Sequence, residues 1–136
     1  MEYTCPTSRV AQDAAFRLGL PVWWSWFNAT FPNTALREGL GVYHSSESPV
    51  VFGSYPQVNA TAEEARVSAV MQTAWADFAK DSFGVGLGWE PVGSGEAGGH
   101  PVAAFDVGAG LGVKGWTAIN NGTLDSAYGI FKPIYK

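Results

Sequence analysis

His44, in the stretch GVYHSSESPVVFG (residues 41–53), is the residue best suited to chemistry. Histidine is the side chain that ordinarily titrates near neutrality, as a general base must, and a loop between two apolar runs is a position from which it faces a pocket. Glu47 stands three positions later. A general base needs a nucleophile to deprotonate. A serine on a tight strand-to-helix turn requires Gly at both −2 and +2, because that turn excludes neighbouring side chains. No serine here is so flanked, and Ser94 in VGSGE has its glycines at ±1.

Metal chemistry finds no better support. The second histidine, His100 in GGHPV, reads as solvent-exposed, and the two histidines stand far apart with no H-E-x-x-H spacing. Cys5 is the only cysteine, so thiolates build no metal cluster and no internal disulfide forms. It is either a buried, inert thiol or half of a disulfide with a partner elsewhere. No metal and no cofactor are expected.

The elements that must position His44 begin with SRVAQDAAFRL (8–18), whose apolar spacing predicts a short helix with Ser8 as cap and Gly19 past its end. After Pro21, VWWSWF (22–27) reads as a strand covered on both faces. Residues 28–43, rich in Asn, Pro and Gly, form a long loop that ends at His44. Ser45 and Ser46 are candidate caps for a short helix over 46–52, which Pro49 permits only near its start.

The clearest local signal is TAEEARVSAVMQTAWADFAK (61–80). Thr61 and Glu64 make a capping box, and Val67, Val70, Met71, Ala74, Trp75 and Phe78 form a stripe that reads as core. From residue 84 the chain is Gly-rich and irregular; PVAAFDVG (101–108) reads as a short edge strand, and the remainder as a tail carrying little information. No repeat or linker is evident.

Composition bounds the partners. The 136 residues suit one domain, but 15% are charged, where roughly 25% is usual, and six are Trp. Few charges and many large rings suit part of a larger body. A net charge of −4 with scattered basic residues gives no footprint for nucleic acid or an anionic membrane. No run approaches the ~20 apolar residues of a membrane span, and MEYTCPTSRV is no signal peptide. Three N-x-S/T sequons, at Asn28, Asn59 and Asn121, nevertheless point to a secreted, glycosylated parent protein.

The segments CP (5–6), PVWWSWFNATFPN (21–33), GVYHSSESPVVFG (41–53), T-x-E-E with MQTAWADFAK (71–80) and GW (88–89) resemble, in that order, the C-terminal part of type-B carboxylesterases, the family of fungal lipases and cholinesterases. The likeness is strongest over residues 3–90 and fades across 91–136. Its centre is a G-x-x-H-x-x-E pattern leading to V-F-G, met here by Gly41, His44, Glu47 and Val51-Phe52-Gly53.

The resemblance implies an α/β chain, a partial carboxylesterase domain over 1–136: the last strands of an α/β-hydrolase sheet, the catalytic-histidine loop and a long C-terminal helix. His44 would be the general base, and Glu47 a group beside the site that steadies its loop. The substrate would be a carboxylic ester, with the choice between lipase, short-chain and aromatic esterase left open, as is the oligomeric state. The nucleophile, the acidic triad member, the oxyanion-hole glycines and the signal peptide are expected upstream of Met1, so the chain alone is expected to be inactive. Some members of this family lack the triad and serve in adhesion, which leaves open a non-catalytic secreted binding module or a degenerate gene fragment. An unrelated α/β protein with an incidental histidine would have to match four motifs by chance.

Overall fold

The computed structural model describes residues 4–83, 87–94, 100–106 and 115–125. In chain order these form α1 (Thr4–Gln12), a π-helical turn (Asp13–Arg17), β1 (Ser25–Asn28), α2 (Ser48–Val51), α3 (Ala62–Lys80), β2 (Pro101–Asp106), β3 (Thr117–Asn120) and α4 (Asn121–Asp125). Helices and strands mix along the chain, and the α/β class is as expected. The strands hydrogen-bond in the order β1-β2-β3.

Strand direction follows from the contacts. The Ala103 N–H donates to the Trp24 carbonyl, and Asn28 meets Asp106, so β1 and β2 advance together. The Asn121 N–H returns to the His100 carbonyl, so β3 runs against β2. Parallel neighbours need a long crossover, and α2 and α3 lie within it. The chain packs as two compact units: residues 1–24, 89–103 and 118–136 form one, and 25–88 with 104–117 the other.

In the first unit the opening helix begins earlier than expected. Pro6 sits in the first turn, where its missing N–H is one of the groups a helix leaves unpaired anyway. Ser8 is therefore no cap; it is buried mid-helix and accepts from Gln12 Nε2 at 3.1 Å. Gly19, at φ +64°, ends the segment as foreseen. Cys5 belongs to α1, but its side chain lies outside the described residues. His100 is half-buried, not solvent-exposed: its ring lies 5.3 Å from that of Phe16, and its backbone N–H donates to Asn121 Oδ1 at 2.7 Å.

The expected strand over 22–27 is shorter and shifted, Ser25–Asn28, and half-buried along its length. Among the described residues it is an outer strand of the sheet, paired with β2 along one edge. The expected edge strand is instead the central one: Val102, Ala103, Ala104 and Phe105 are all buried. Its unalternating apolar run is what coverage on both faces requires, and Pro101 stands at its first position, where a missing donor is tolerated.

The second unit is organised by α3. Thr61 caps it, accepting from the Glu64 N–H at 3.0 Å. Its buried face is Glu64, Val67, Ser68, Met71 and Ala74; Trp75 and Phe78, expected in the core, are partly exposed. The stripe is thus rotated toward Ser68, which α2 engages. Phe105 is fully buried and meets the Trp75 ring edge-on, centroids 6.4 Å apart. In the Gly-rich stretch after residue 83, residues 84–86 and 95–99 lie outside the described set, as do 107–114 and 126–136.

Candidate active site

The loop that delivers His44 is built on Ala29 and Phe31, both buried. The Phe31 carbonyl accepts from the N–H groups of Thr34 and Ala35, and the Tyr43 hydroxyl donates to the Thr34 carbonyl at 2.8 Å. Asn33 Nδ2 donates to the Pro56 carbonyl at 2.6 Å. Gly41, the glycine of the G-x-x-H pattern, has φ +67° with open space beside it, so its backbone angle, not crowding, demands glycine. Ala29, Phe31, Thr34, Arg37, Tyr43 and Ser46 line a groove of about 480 Å³ along this loop.

His44 is exposed at the head of a turn over 44–47. The turn is drawn tight by the Ser46 N–H donating to the Tyr43 carbonyl and the Ser48 N–H donating to the Ser45 carbonyl. Ser45 takes φ +67°, a left-handed conformation that L-residues other than Gly, Asn and Asp seldom adopt. Glu47 is half-buried at the cap position of α2, and its carbonyl accepts from the Val50 and Val51 N–H groups. Neither Ser45 nor Ser46 caps this helix: the cap residue is Glu47, with no side-chain cap bond. Pro49 falls in the first turn, as the sequence required.

His44 and Glu47 therefore share one turn. Residues that the sequence left unmarked fix that turn to α3. The Ser68 hydroxyl donates to the buried Val50 carbonyl at 2.6 Å, and Gln72 Nε2 donates to Ser68 Oγ at 2.9 Å. Val50 and Val51 bury their side chains behind this link. Gly53, last residue of V-F-G, has φ +63°, and a Cβ there would stand 2.9 Å from Gln72 Nε2. A polar Ser-x-x-x-Gln pair one helical turn apart, inside an otherwise apolar stripe, was the signal for this anchor.

The three sequons are placed differently. Asn28 is half-buried, with Nδ2 donating to Asp106 Oδ2 at 3.2 Å. Asn121 is buried at the start of α4. Asn59 is exposed in a turn, at φ +61°. Among the described residues, no three of His, Cys, Asp and Glu gather to hold a metal ion, and no helix is long and apolar enough to cross a membrane.

The arrangement is an exposed imidazole on a turn held by backbone hydrogen bonds and by a helix anchored through Ser68. It can present a proton acceptor to a partner group, and among the described residues no serine has Gly at both −2 and +2. No curated protein and no solved structure matches the chain. The profile of the carboxylesterase family matches residues 1–100, a span holding His44, its turn, α2 and α3. The chain belongs to the carboxylesterase family.

Proposed function

We propose that this chain is the histidine-bearing C-terminal part of a type-B serine carboxylic-ester hydrolase, of the lipase and cholinesterase kind. The observation that carries the reading is His44, exposed at the head of an anchored turn inside the span matched by the family. In the complete enzyme its imidazole takes the proton of a serine hydroxyl as that oxygen attacks the ester carbonyl. It then returns the proton to the departing alcohol, leaving an acyl-serine that water cleaves by the same proton path in reverse. Glu47 steadies the turn from the start of α2.

The nucleophile, the acidic partner and the oxyanion donors come from residues other than these 136. Without them His44 has no proton to move, and the chain alone is inactive. The parent is a secreted glycoprotein, a reading that rests on the sequons.

Two measurements test this. The purified chain should not hydrolyse a simple aryl ester; hydrolysis that is abolished in His44→Ala would overturn the need for an outside nucleophile. An antibody against residues 61–80 should detect a native product several times larger than the chain. A product of the chain's own size would favour instead a non-catalytic binding module, in which His44 has no serine to serve.

A further inference from the structure

The buried Ser68 hydroxyl takes part in hydrogen bonds to two different residues. Its single proton goes to the Val50 carbonyl at 2.6 Å, so the other contact must bring a proton to it. Gln72 Nε2 does so at 2.9 Å. With that amide lodged against the oxygen, the O–H is left pointing at Val50. The amide is itself seated on Gly53, where a Cβ would stand 2.9 Å from Nε2 and 3.1 Å from Oε1. Gln72, Ser68 and Val50 thus form a relay from an exposed position on α3 to the backbone of α2.

Backbone alone couples Val50 to His44. The Val50 N–H donates to the Glu47 carbonyl at 3.0 Å, the Ser48 N–H to the Ser45 carbonyl at 3.1 Å, and the Ser46 N–H to the Tyr43 carbonyl at 3.0 Å. The three spans overlap, so residues 43–50 form one unbroken coil with His44 inside its first loop. That coil does not hold itself. The α2 helix is four residues long, and a single helical turn is unstable by itself in water. Ser45 adds strain at φ +67°, a conformation that persists only where its surroundings hold it. The hold comes from outside: the Tyr43 hydroxyl on the Thr34 carbonyl at one end, and Ser68 on Val50 at the other.

We propose that Ser68, its proton aimed by Gln72, is a positioning residue for His44: it pins the Val50 end of the coil and so sets where the imidazole stands. The two act in series, Gln72 on Ser68 and Ser68 on Val50. Releasing Val50 lets the coil open, and His44 leaves its place although the residue itself is unchanged. A catalytic group displaced by about 1 Å loses on the order of a hundredfold in rate. That consequence rests on the reading of His44 as general base; the relay itself does not.

The test uses the whole 136-residue chain, isotopically labelled, in which two histidines give two sets of ring signals: His44 is the reporter and His100 the control. Ser68→Ala should move the His44 ring signals. It should also speed amide exchange at Ser46, Ser48 and Val50 about tenfold, as expected for the loss of one or two neutral hydrogen bonds. Gln72→Ala should move the same signals in the same direction by less. The double variant should go no further than Ser68→Ala, because the two residues act in series. Thr73→Ala removes a hydroxyl bond that α3 makes to its own Ala69 carbonyl at 2.8 Å, and it should leave His44 in place. His100 should be unchanged throughout.

The proposal is overturned if Ser68→Ala folds and leaves the His44 ring signals as in the parent chain, or if Thr73→Ala moves them as far. Gln72 is exposed, so Gln72→Ala decides the matter should Ser68→Ala fail to fold: unmoved His44 signals in that variant overturn the proposal as well. A native product of the chain's own size would sink the esterase reading and leave these signals untouched, so the two failures are distinguishable.

Discussion

The Ser68 hydroxyl lies 2.6 Å from the Val50 carbonyl oxygen, so the long helix grips the backbone of the short one that follows the His44 turn. The Val50 carbonyl also accepts from the Gly53 N–H at 3.3 Å, so losing the serine does not orphan it. Ser68→Ala removes the bond to Val50 and the one from Gln72 Nε2, so it should cost about 1–2 kcal/mol, the net value of two neutral hydrogen bonds, not the larger penalty of a stranded buried group. Urea unfolding measures this. A loss above about 3 kcal/mol would mean that the hydroxyl holds more than Val50 and Gln72.

Gly53 sets how closely α2 approaches α3. Alanine there meets two obstacles, the φ of +63° and a Cβ only 2.9 Å from Gln72 Nε2. The second is partly relieved, because a flexible side-chain tip can swing away, but in moving it surrenders its bond to Ser68. Gly53→Ala should cost about 1–2 kcal/mol, and adding Gln72→Ala should recover part of it, since the contact is then gone. Full additivity of the two substitutions in a denaturation cycle would place the cost in the backbone angle alone.

Ser45 should respond in both directions. Its φ of +67° costs a non-glycine residue roughly 1 kcal/mol, so Ser45→Gly should be neutral to slightly stabilising despite the added freedom of the unfolded chain. Ser45→Val, with a β-branched side chain in the same conformation, should lose at least about 1–2 kcal/mol. Thermal melts of the pair decide it. Equal stability of the two would show that the turn relaxes to ordinary angles.

How legible these features were in the sequence depended on how local their causes are. The α3 helix was readable because Thr61 and an apolar period of 3.6 act within a few residues. Pro49 announced the start of α2 for the same reason. The role of β2 was missed because PVAAFD differs from an edge strand only in what lies on either side, and β1 and β3 come from remote parts of the chain. Trp75 and Phe78 fit the helical stripe, but Ser68 and Glu64 took the inner face through contacts that no spacing rule encodes. His44 was found by residue type, and its anchor was not, because Ser68 and Gln72 read as ordinary polar positions.

The sequons make the last prediction. Asparagine accepts a glycan through Nδ2, so a side chain already engaged or enclosed in the fold is a poor acceptor. Asn28 Nδ2 is bonded to Asp106 and Asn121 is buried, whereas Asn59 stands exposed in a turn whose left-handed φ asparagine tolerates. Made in a secretory host, the chain should carry one glycan. Enzymatic deglycosylation should give a single mass step, absent in Asn59→Gln and retained in Asn28→Gln and Asn121→Gln, the latter two melting lower because each loses a hydrogen bond at the sheet. Two or three mass steps would mean that Asn28 or Asn121 is modified before β1, β2 and α4 come together, and that those strands then pack differently from the arrangement described.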